Sequence, residues 1–362
     1  NTATFMEKTK PMLLKDFFNR FPDDESCIDY FKDVRLSLGM ICPKCSGTNF
    51  KWYKGSRIFQ CATCGYRFPL TKGTVMEKSH LPMYDWFFTA NMMTSIKQVL
   101  SAKEIQHQLE KKYYPPVWLM MMKYRDIMGK RDAMYKLSDE VEIDISFFPT
   151  SSIVNVDGED VIKTQKTPVL VIAESKPVDG ILAEYFSKLT MPEYINRASA
   201  LLQKAEKMNI KKAVQCIKMY SMPNQQYETI RPYIEGSVSS DTKAVTDGGH
   251  NLIKLKEILK EHKPYPETED EIHEVVKSKL PWVHIITGEC RSGIEAIHKD
   301  IDERFLQPYL NEYCWKFNRR FFRDSKMDKY DLFDHLIRTA AQYTSDIKWR
   351  DYEKAINSLN VY

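Results

Sequence analysis

The sequence predicts a multidomain protein that combines α+β and α/β parts, and three observations indicate this fold class. The chain has 362 residues, more than a single hydrophobic core usually organises. Two cysteine pairs lie close together in its N-terminal part. Further along, short apolar runs alternate with segments of helical periodicity, which is typical of an α/β domain.

The composition is that of an ordinary globular protein, with 43% hydrophobic and 28% charged residues. A net charge of +4 is too small to establish a nucleic-acid partner by itself. The longest apolar runs fall short of the roughly 20 residues that a membrane helix needs, and the first residues do not resemble a secretion signal. We therefore expect no membrane partner and a reducing compartment, in which four scattered cysteines are free, buried thiols: Cys27, Cys216, Cys290 and Cys314.

The paired cysteines predict a structural zinc site. Their spacing is C-x2-C-x15-C-x2-C: Cys42, Cys45, Cys61 and Cys64. Two such knuckles can each present two thiolates to one tetrahedral Zn²⁺ ion, and four thiolates leave no open position for catalysis. Alternating residues between the two pairs, over 49–53 and 56–60, indicate short strands. We therefore expect a zinc ribbon over residues 40–78, preceded by helices over 1–39.

Residues 79–137 are predicted to form a helical module. Ser101 and Glu104 have the spacing of a capping box, and Pro115-Pro116 marks the start of the helix that follows. Three helices in this order permit a helix-turn-helix arrangement. Basic residues interleaved with aromatic ones make the ribbon and this module candidates for gripping DNA phosphates, although a solvated surface would show the same pattern: Lys54, Lys111, Lys112, Lys123, Arg125, Lys130 and Arg131.

Residues 138–325 are predicted to form the α/β domain. Apolar runs indicate strands over 141–148, 168–173 and 213–219, with a further short strand over 238–241. A helical pattern covers 192–208. Residues 326–362 form a predicted helical tail, in which Trp349, Tyr352 and Ile356 could pack on the core or on a partner subunit.

Three acidic residues of this domain are candidates for a catalytic centre. Asp144 interrupts an apolar strand, where an ionised carboxylate is costly without a metal or a cation. Asp241 follows a short apolar approach and could lie at a neighbouring strand end, with Asp247 as its rival. Glu289 lies at the start of a predicted helix, with Glu295 as its competitor.

Several motifs together resemble the insertion-sequence transposases that carry a zinc ribbon ahead of a DDE domain. The similarity covers most of the chain, and its segments are Cys61-Ala-Thr-Cys-Gly-Tyr-Arg-Phe68, Leu81-Pro-Met-Tyr-Asp-Trp86, Val141-Glu-Ile-Asp144, Gly236-Ser-Val-Ser-Ser-Asp241, Trp282-Val-His284 and Phe305-Leu-Gln-Pro-Tyr-Leu-Asn-Glu-Tyr-Cys-Trp-Lys-Phe-Asn-Arg-Arg320. The last of these is the most specific. The resemblance implies that the α/β domain is ribonuclease-H-like, with a mixed sheet.

The same resemblance implies a catalytic set of Asp144, Asp241 and Glu289. The third position follows His284 by five residues; many relatives carry Asn there, and Lys where this chain has Arg291. Oxygen ligands suit Mg²⁺ or Mn²⁺. The candidate accessory residues are His284, Arg291 and His298, and two further residues could clamp DNA: Arg319 and Arg320.

The function implied is that of a DNA transposase. Such an enzyme binds the terminal inverted repeats of its element as a homodimer on double-stranded DNA, cleaves the ends and joins the 3′-hydroxyl to target DNA by a two-metal reaction. We expect a bacterial cytoplasmic protein that associates with the nucleoid when it acts. Two alternatives are a non-transposing nuclease of the same fold and a zinc-dependent DNA-binding regulator with an inert nuclease-like domain.

Overall fold

A computed structural model of the protein describes residues 12–156, 159–177, 212–247, 249–265, 280–298, 301–321 and 331–350. These residues form two compact units. We call residues 12–131 with 331–350 the ribbon-helix unit, and the described residues of 132–321 the sheet unit. The helix predicted over 192–208 lies outside the described residues.

The ribbon-helix unit begins with two helices and a small antiparallel sheet: α1 (Leu14–Arg20), α2 (Asp24–Ser37), β1 (Phe50–Tyr53), β2 (Ile58–Cys61) and β3 (Arg67–Pro69). Asp23 starts α2, because its carboxylate accepts a hydrogen bond from the Ser26 amide at 2.8 Å. β2 pairs with both other strands. The predicted ribbon strands are therefore confirmed.

Three further helices follow in this unit: α3 (Met83–Ser95), α4 (Ala102–Gln108) and α5 (Tyr114–Asp132). The Ser101 hydroxyl accepts from the Glu104 amide at 3.1 Å and so begins α4. Pro115 and Pro116 lie in the first turn of α5, where a missing amide proton costs no helical hydrogen bond. The predicted sequence of three helices is confirmed.

The sheet unit contains five strands and four helices in the part of it that is described: β4 (Glu140–Val156), β5 (Glu159–Pro177), β6 (Lys212–Ser221), α6 (Tyr227–Ser237), β7 (Lys243–Thr246), α7 (His250–Ile253), β8 (Glu261–Pro264), α8 (Pro281–Glu295) and α9 (Leu306–Phe321). The sheet order is β6-β5-β4-β7-β8. The first three of these strands pair antiparallel, and β7 and β8 run parallel to β4. This mixed sheet with helices is consistent with a ribonuclease-H-like domain.

The position predicted for a short strand, residues 238–241, is wrong: the strand lies several residues further along the chain. Val238 makes only an isolated bridge to Leu137, and the chain then turns, with the Thr242 amide donating to the Ser239 carbonyl at 3.1 Å. Small polar residues favour such a turn. The strand itself is β7, in which Ala244 and Val245 are buried.

Each face of the sheet is covered by helices of this unit. Ile143 and Ile172 belong to a core that also contains Ile230 and Ile234 of α6. Side chains alternate along a strand, so Glu142 and the residues in step with it point to the other face. On that face α8 packs against β4 and β5, and α9 packs against β6.

The motif carried by α9 closes the outer edge of β6. The Asn318 side chain accepts from the Ile217 amide at 2.8 Å and donates to the Ile217 carbonyl at 3.0 Å. The Gln307 side chain likewise accepts from Ser221 at 2.8 Å and donates to Met219 at 3.0 Å. These amides satisfy backbone groups that an uncovered edge strand would offer to another chain.

The helix α10 (Leu332–Gln342) also belongs to the ribbon-helix unit. The wholly buried Phe333 ring lies 5.9 Å from the Phe17 ring and 5.7 Å from the Phe87 ring. The Val75 amide donates to Ala340 at 3.2 Å. This part of the predicted C-terminal tail is therefore a core element of the unit, whereas Tyr352 and Ile356 lie outside the described residues.

Candidate catalytic and zinc sites

The four paired cysteines converge at one point of the ribbon. All four Sγ atoms lie within 4.8 Å of one another, with Cys42 and Cys64 at 3.7 Å and Cys45 and Cys61 at 3.6 Å. These distances exceed the roughly 2.05 Å of a disulfide and suit ligands placed around a tetrahedral ion. The donor set therefore fits Zn²⁺.

At Gly47, beside this cluster, there is no space for a side chain. A Cβ atom at Gly47 would lie 2.9 Å from the Thr63 hydroxyl oxygen and 3.2 Å from the Cys61 sulfur. Gly65 follows the second knuckle with a φ of 70°, a conformation that other residues adopt only at a cost. Both glycines hold the cysteines in the tight turns that the metal needs.

Asp144 is a buried carboxylate on the central strand β4, with 7% of its surface exposed. One of its oxygens accepts from the Ile145 amide at 2.7 Å. Asp144 and Glu142 point to the same face of the sheet, because they are two residues apart on one strand. That face is the one covered by α8.

The register of β7 brings Asp247, rather than Asp241, next to Asp144. Ile143 pairs with Thr246 in the parallel ladder, so the next residues along the two strands are Asp144 and Asp247. Neighbouring strands lie about 4.8 Å apart and paired residues share a face. Asp241 lies in the turn that precedes β7, at the opposite end of this strand from Asp247. The assignment of Asp241 as a neighbour of Asp144 is therefore corrected by the geometry.

His284, in the first turn of α8, faces Asp144. Its Nδ1 atom lies 3.9 Å from an Asp144 carboxylate oxygen. Arg291 follows His284 by seven residues, two helical turns, and lies on the same flank of α8. Its guanidinium donates to the Phe147 carbonyl and lies 5.3 Å from the centre of the Phe148 ring. Arg291 thus contacts β4, and a role for it at phosphate is a separate hypothesis.

Glu142 receives the N-terminus of α8. Its carboxylate accepts from the backbone amides of Trp282 at 2.8 Å and Val283 at 3.1 Å. Burial raises the pKa of Glu142 to about 7, against the lowering effect of these two hydrogen bonds. Glu142 was not among the candidate site residues predicted from the sequence. Its position two residues before Asp144, and therefore on the same face, was the available signal.

Glu289 lies on the other flank of α8. Five residues at about 100° each place it roughly 140° around the helix from His284. Its carboxylate is solvent-exposed and accepts from the Tyr313 hydroxyl of α9 at 3.5 Å. Glu295 is on the His284 flank, but three turns further along. Among the described residues, no three of these acidic and histidine side chains have their ligand atoms within 4.8 Å of one another.

Two family models match this chain. A transposase zinc-ribbon domain matches residues 22–67, and an ISXO2-like transposase domain matches residues 136–318, about half of the chain. The chain belongs to the ISXO2-like transposase family. No curated protein matches it. The zinc-ribbon match begins at residue 22 and so takes in α2 as well as the ribbon strands.

Two arginines expected to contact DNA are buried in this transposase. Arg125 is 1% exposed and donates to the Leu100 carbonyl at 3.0 Å. Arg319 is 5% exposed and pairs with Asp132 at 2.7 Å. A buried guanidinium that is held by a carbonyl or carboxylate cannot reach a phosphate, so both assignments are corrected.

The other basic candidates differ in their freedom to meet DNA. Lys54 pairs with Asp29 at 3.3 Å, Lys111 with Asp85 at 2.7 Å, and Lys130 with Asp346 at 2.8 Å. Burial lowers the pKa of Lys123. Lys112 is exposed, with its ammonium 5.4 Å from the Tyr113 ring centre. Arg131 is half-buried, and the Arg320 side chain lies outside what is described.

His298 packs as a structural residue. Its ring centre lies 4.8 Å from that of Tyr309, edge to face. This contact gives His298 a packing role against α9. Within the described residues, no helix is both long and apolar enough to cross a membrane.

Proposed function

We propose that this protein is an active DNA transposase that cleaves the ends of its element and joins the 3′-hydroxyl to target DNA. The observation that carries this proposal is the register of β4 and β7, whose last pair, Ile143 and Thr246, is followed directly by Asp144 and Asp247. Asp144 lies within β4, and Asp247 follows the carboxyl end of the adjacent parallel strand β7. The carboxyl ends of strands are where α/β proteins place their chemistry.

The chemistry of the two carboxylates at this candidate site suits a divalent cation. Asp144 and Asp247 supply carboxylate oxygens, which suit Mg²⁺ or Mn²⁺, and His284 adds a nitrogen 3.9 Å from Asp144. When bound, such ions activate an attacking oxygen and stabilise the leaving oxygen of a phosphodiester. The protein's own part is to hold one carboxylate on the buried strand β4 and the other directly after the neighbouring strand β7.

The family resemblance and the geometry of the site indicate different residues for the third position. The resemblance assigns Glu289, which lies on the α9 flank of the helix. The geometry favours His284, which already faces Asp144. We propose His284 as the third group at the site, with Glu289 as the competing assignment.

The ribbon-helix unit is proposed to bind the terminal inverted repeats. Exposed Lys112 beside Tyr113 is suited to a phosphate contact, and the zinc ribbon gives the unit a fixed shape. Two element ends have to be processed together, so we propose a homodimer on DNA. The competing proposals are a nuclease that cleaves without joining, and an inert regulator that binds DNA only.

A strand-transfer assay with Mg²⁺ or Mn²⁺ tests this function. Duplexes that carry the element end are incubated with the purified chain or with Asp144→Asn, and cleaved and joined products are separated. Joined products that disappear in the variant support the transposase. Cleavage without joining supports the nuclease, and specific binding without cleavage supports the inert regulator.

A further inference from the structure

The first turn of α8 is held by a buried carboxylate. Glu142 is 4% exposed, and it accepts hydrogen bonds from the Trp282 and Val283 amides at 2.8 and 3.1 Å. The first amides of a helix have no partner inside the helix and carry a partial positive charge. A carboxylate on β4 therefore fixes the point at which α8 starts on the sheet.

Arg291 makes a second contact between the same helix and the same strand. Its guanidinium donates to the Phe147 carbonyl and stacks over the Phe148 ring at 5.3 Å. Glu142 lies two residues before Asp144 on β4, and Phe147 lies three residues after it. The two contacts thus bracket Asp144 along the strand.

The Glu142 and Arg291 contacts together determine where α8, and with it His284, lies on β4. His284 follows Val283 directly in the chain, so any sliding or rotation of the first helical turn moves its ring relative to Asp144. One polar contact alone would constrain the helix at a single point. Two contacts, separated by about two turns or roughly 12 Å of helix, fix both its position along β4 and its rotation.

Burying the carboxyl group of Glu142 costs free energy, and packing alone does not explain why this cost is met. An apolar side chain of similar size would fill the same space without the cost of burying a carboxyl group. Directed hydrogen bonds to two amides are what an apolar residue cannot supply. This contrast indicates a role in placing α8.

We infer that Glu142 and Arg291 are positioning residues that clamp α8 along β4 and so hold His284 beside Asp144. The clamp itself follows from the contacts alone, and only its effect on catalysis rests on the proposed function. Neither residue touches the reacting atoms. Arg291 therefore serves the site through the helix, instead of through contact with DNA.

Hydrogen exchange of the full-length protein, followed by mass spectrometry, tests the clamp without any assay of activity. The variants are Glu142→Leu, Glu142→Gln and Arg291→Met. The matched control is Arg231→Met, which breaks an exposed ion pair with Glu235 on α6. We expect Glu142→Leu to speed exchange in the peptide that covers residues 282–287 about tenfold, since a lost hydrogen bond permits local opening.

The exchange rates of the different variants, taken together, show whether the inference holds. Glu142→Gln keeps an acceptor oxygen and should restore slow exchange, Arg291→Met should speed exchange in α8, and the control should not. Exchange in β5 should be unchanged in all of them. Equal acceleration through β4 and β5 would show a general structural role and overturn the inference, as would unchanged exchange in α8 in both Glu142→Leu and Arg291→Met.

Strand transfer under saturating DNA adds the catalytic readout. We expect a lower joining rate in Glu142→Leu and Arg291→Met with unchanged DNA affinity, and recovery in Glu142→Gln. Normal joining by Glu142→Leu despite faster exchange would overturn the catalytic role of the clamp. If the unaltered protein joins no DNA, the proposed function fails while the exchange result stands on its own.

Discussion

Asp247 lies beside Asp144 across the β4–β7 ladder, one residue beyond the last pair, Ile143 and Thr246. This last pair shares one face of the sheet, and each of the two acids directly follows one of its members along the chain. This relationship, together with His284 at 3.9 Å from Asp144, defines the candidate catalytic centre. On this basis we propose Asp247, which the sequence motif alone left as the rival of Asp241, as the second acid.

Gly47→Ala is expected to weaken zinc retention about tenfold, in the range typical for residues around a metal site. The new Cβ would lie 2.9 Å from the Thr63 oxygen and 3.2 Å from the Cys61 sulfur, so a ligand has to move. Competition with a chelating dye measures the change. Gly55→Ala is the control, because nothing lies within 4 Å of its Cβ position; equal zinc affinity in both variants would contradict the prediction.

Lys112→Met is expected to weaken DNA binding without affecting stability, and Arg125→Met is expected to do the reverse. Lys112 is exposed, so its loss should reduce the salt dependence of DNA binding by about one unit of slope and leave the melting temperature unchanged. Arg125 holds the Leu100 carbonyl at 3.0 Å, so its loss should cost about 1–3 kcal/mol of folding free energy with the slope unchanged. Binding titrations at several salt concentrations and thermal unfolding measure both. A reduced slope for Arg125→Met would show that Arg125 meets DNA.

Lys111→Met is expected to make stability fall as pH rises. Burial raises the pKa of Asp85, while Lys111, 2.7 Å away, lowers it. Without Lys111 the folded-state pKa of Asp85 rises further above its unfolded value. Stability relative to the parent is then retained at low pH, where Asp85 is protonated, and lost as pH rises through the folded pKa, by about 1–3 kcal/mol at neutral pH. Chemical denaturation from pH 4 to pH 8 tests this, and a pH-independent difference would contradict it.

His284→Ala and Glu289→Gln decide which residue of α8 completes the site. The account predicts a loss of joining of about 100-fold or more for His284→Ala, as for other groups that act directly at a reaction centre, and a loss of a few-fold at most for Glu289→Gln. Single-turnover strand transfer measures both. The reverse order would restore Glu289 as the third ligand.

The sequence predicted the parts of this protein whose signals are local. Cysteine spacing gave the ribbon, and Ser101 with Glu104 marked the start of α4. Asp144 was found because a carboxylate within an apolar strand is costly unless it has a role. All of these signals lie within a few neighbouring residues.

The sequence could not predict relationships that depend on register or on distant partners. Whether Asp241 or Asp247 meets Asp144 depends on where β7 begins, and a shift of a few residues exchanges the two. Arg125 and Arg319 looked like surface cations until burial and partners were visible. Glu142 was passed over because its partners, the amides of Trp282 and Val283, are 140 and 141 residues away.

The most direct test of the account compares Asp247→Asn with Asp241→Asn in the strand-transfer assay. Asp241 precedes the short strand β7 and Asp247 follows it. Each change removes one carboxylate charge, so the effects on folding should be similar. The account predicts that Asp247→Asn abolishes joining while Asp241→Asn retains it. Joining that survives in Asp247→Asn and disappears in Asp241→Asn would contradict the site described for this transposase.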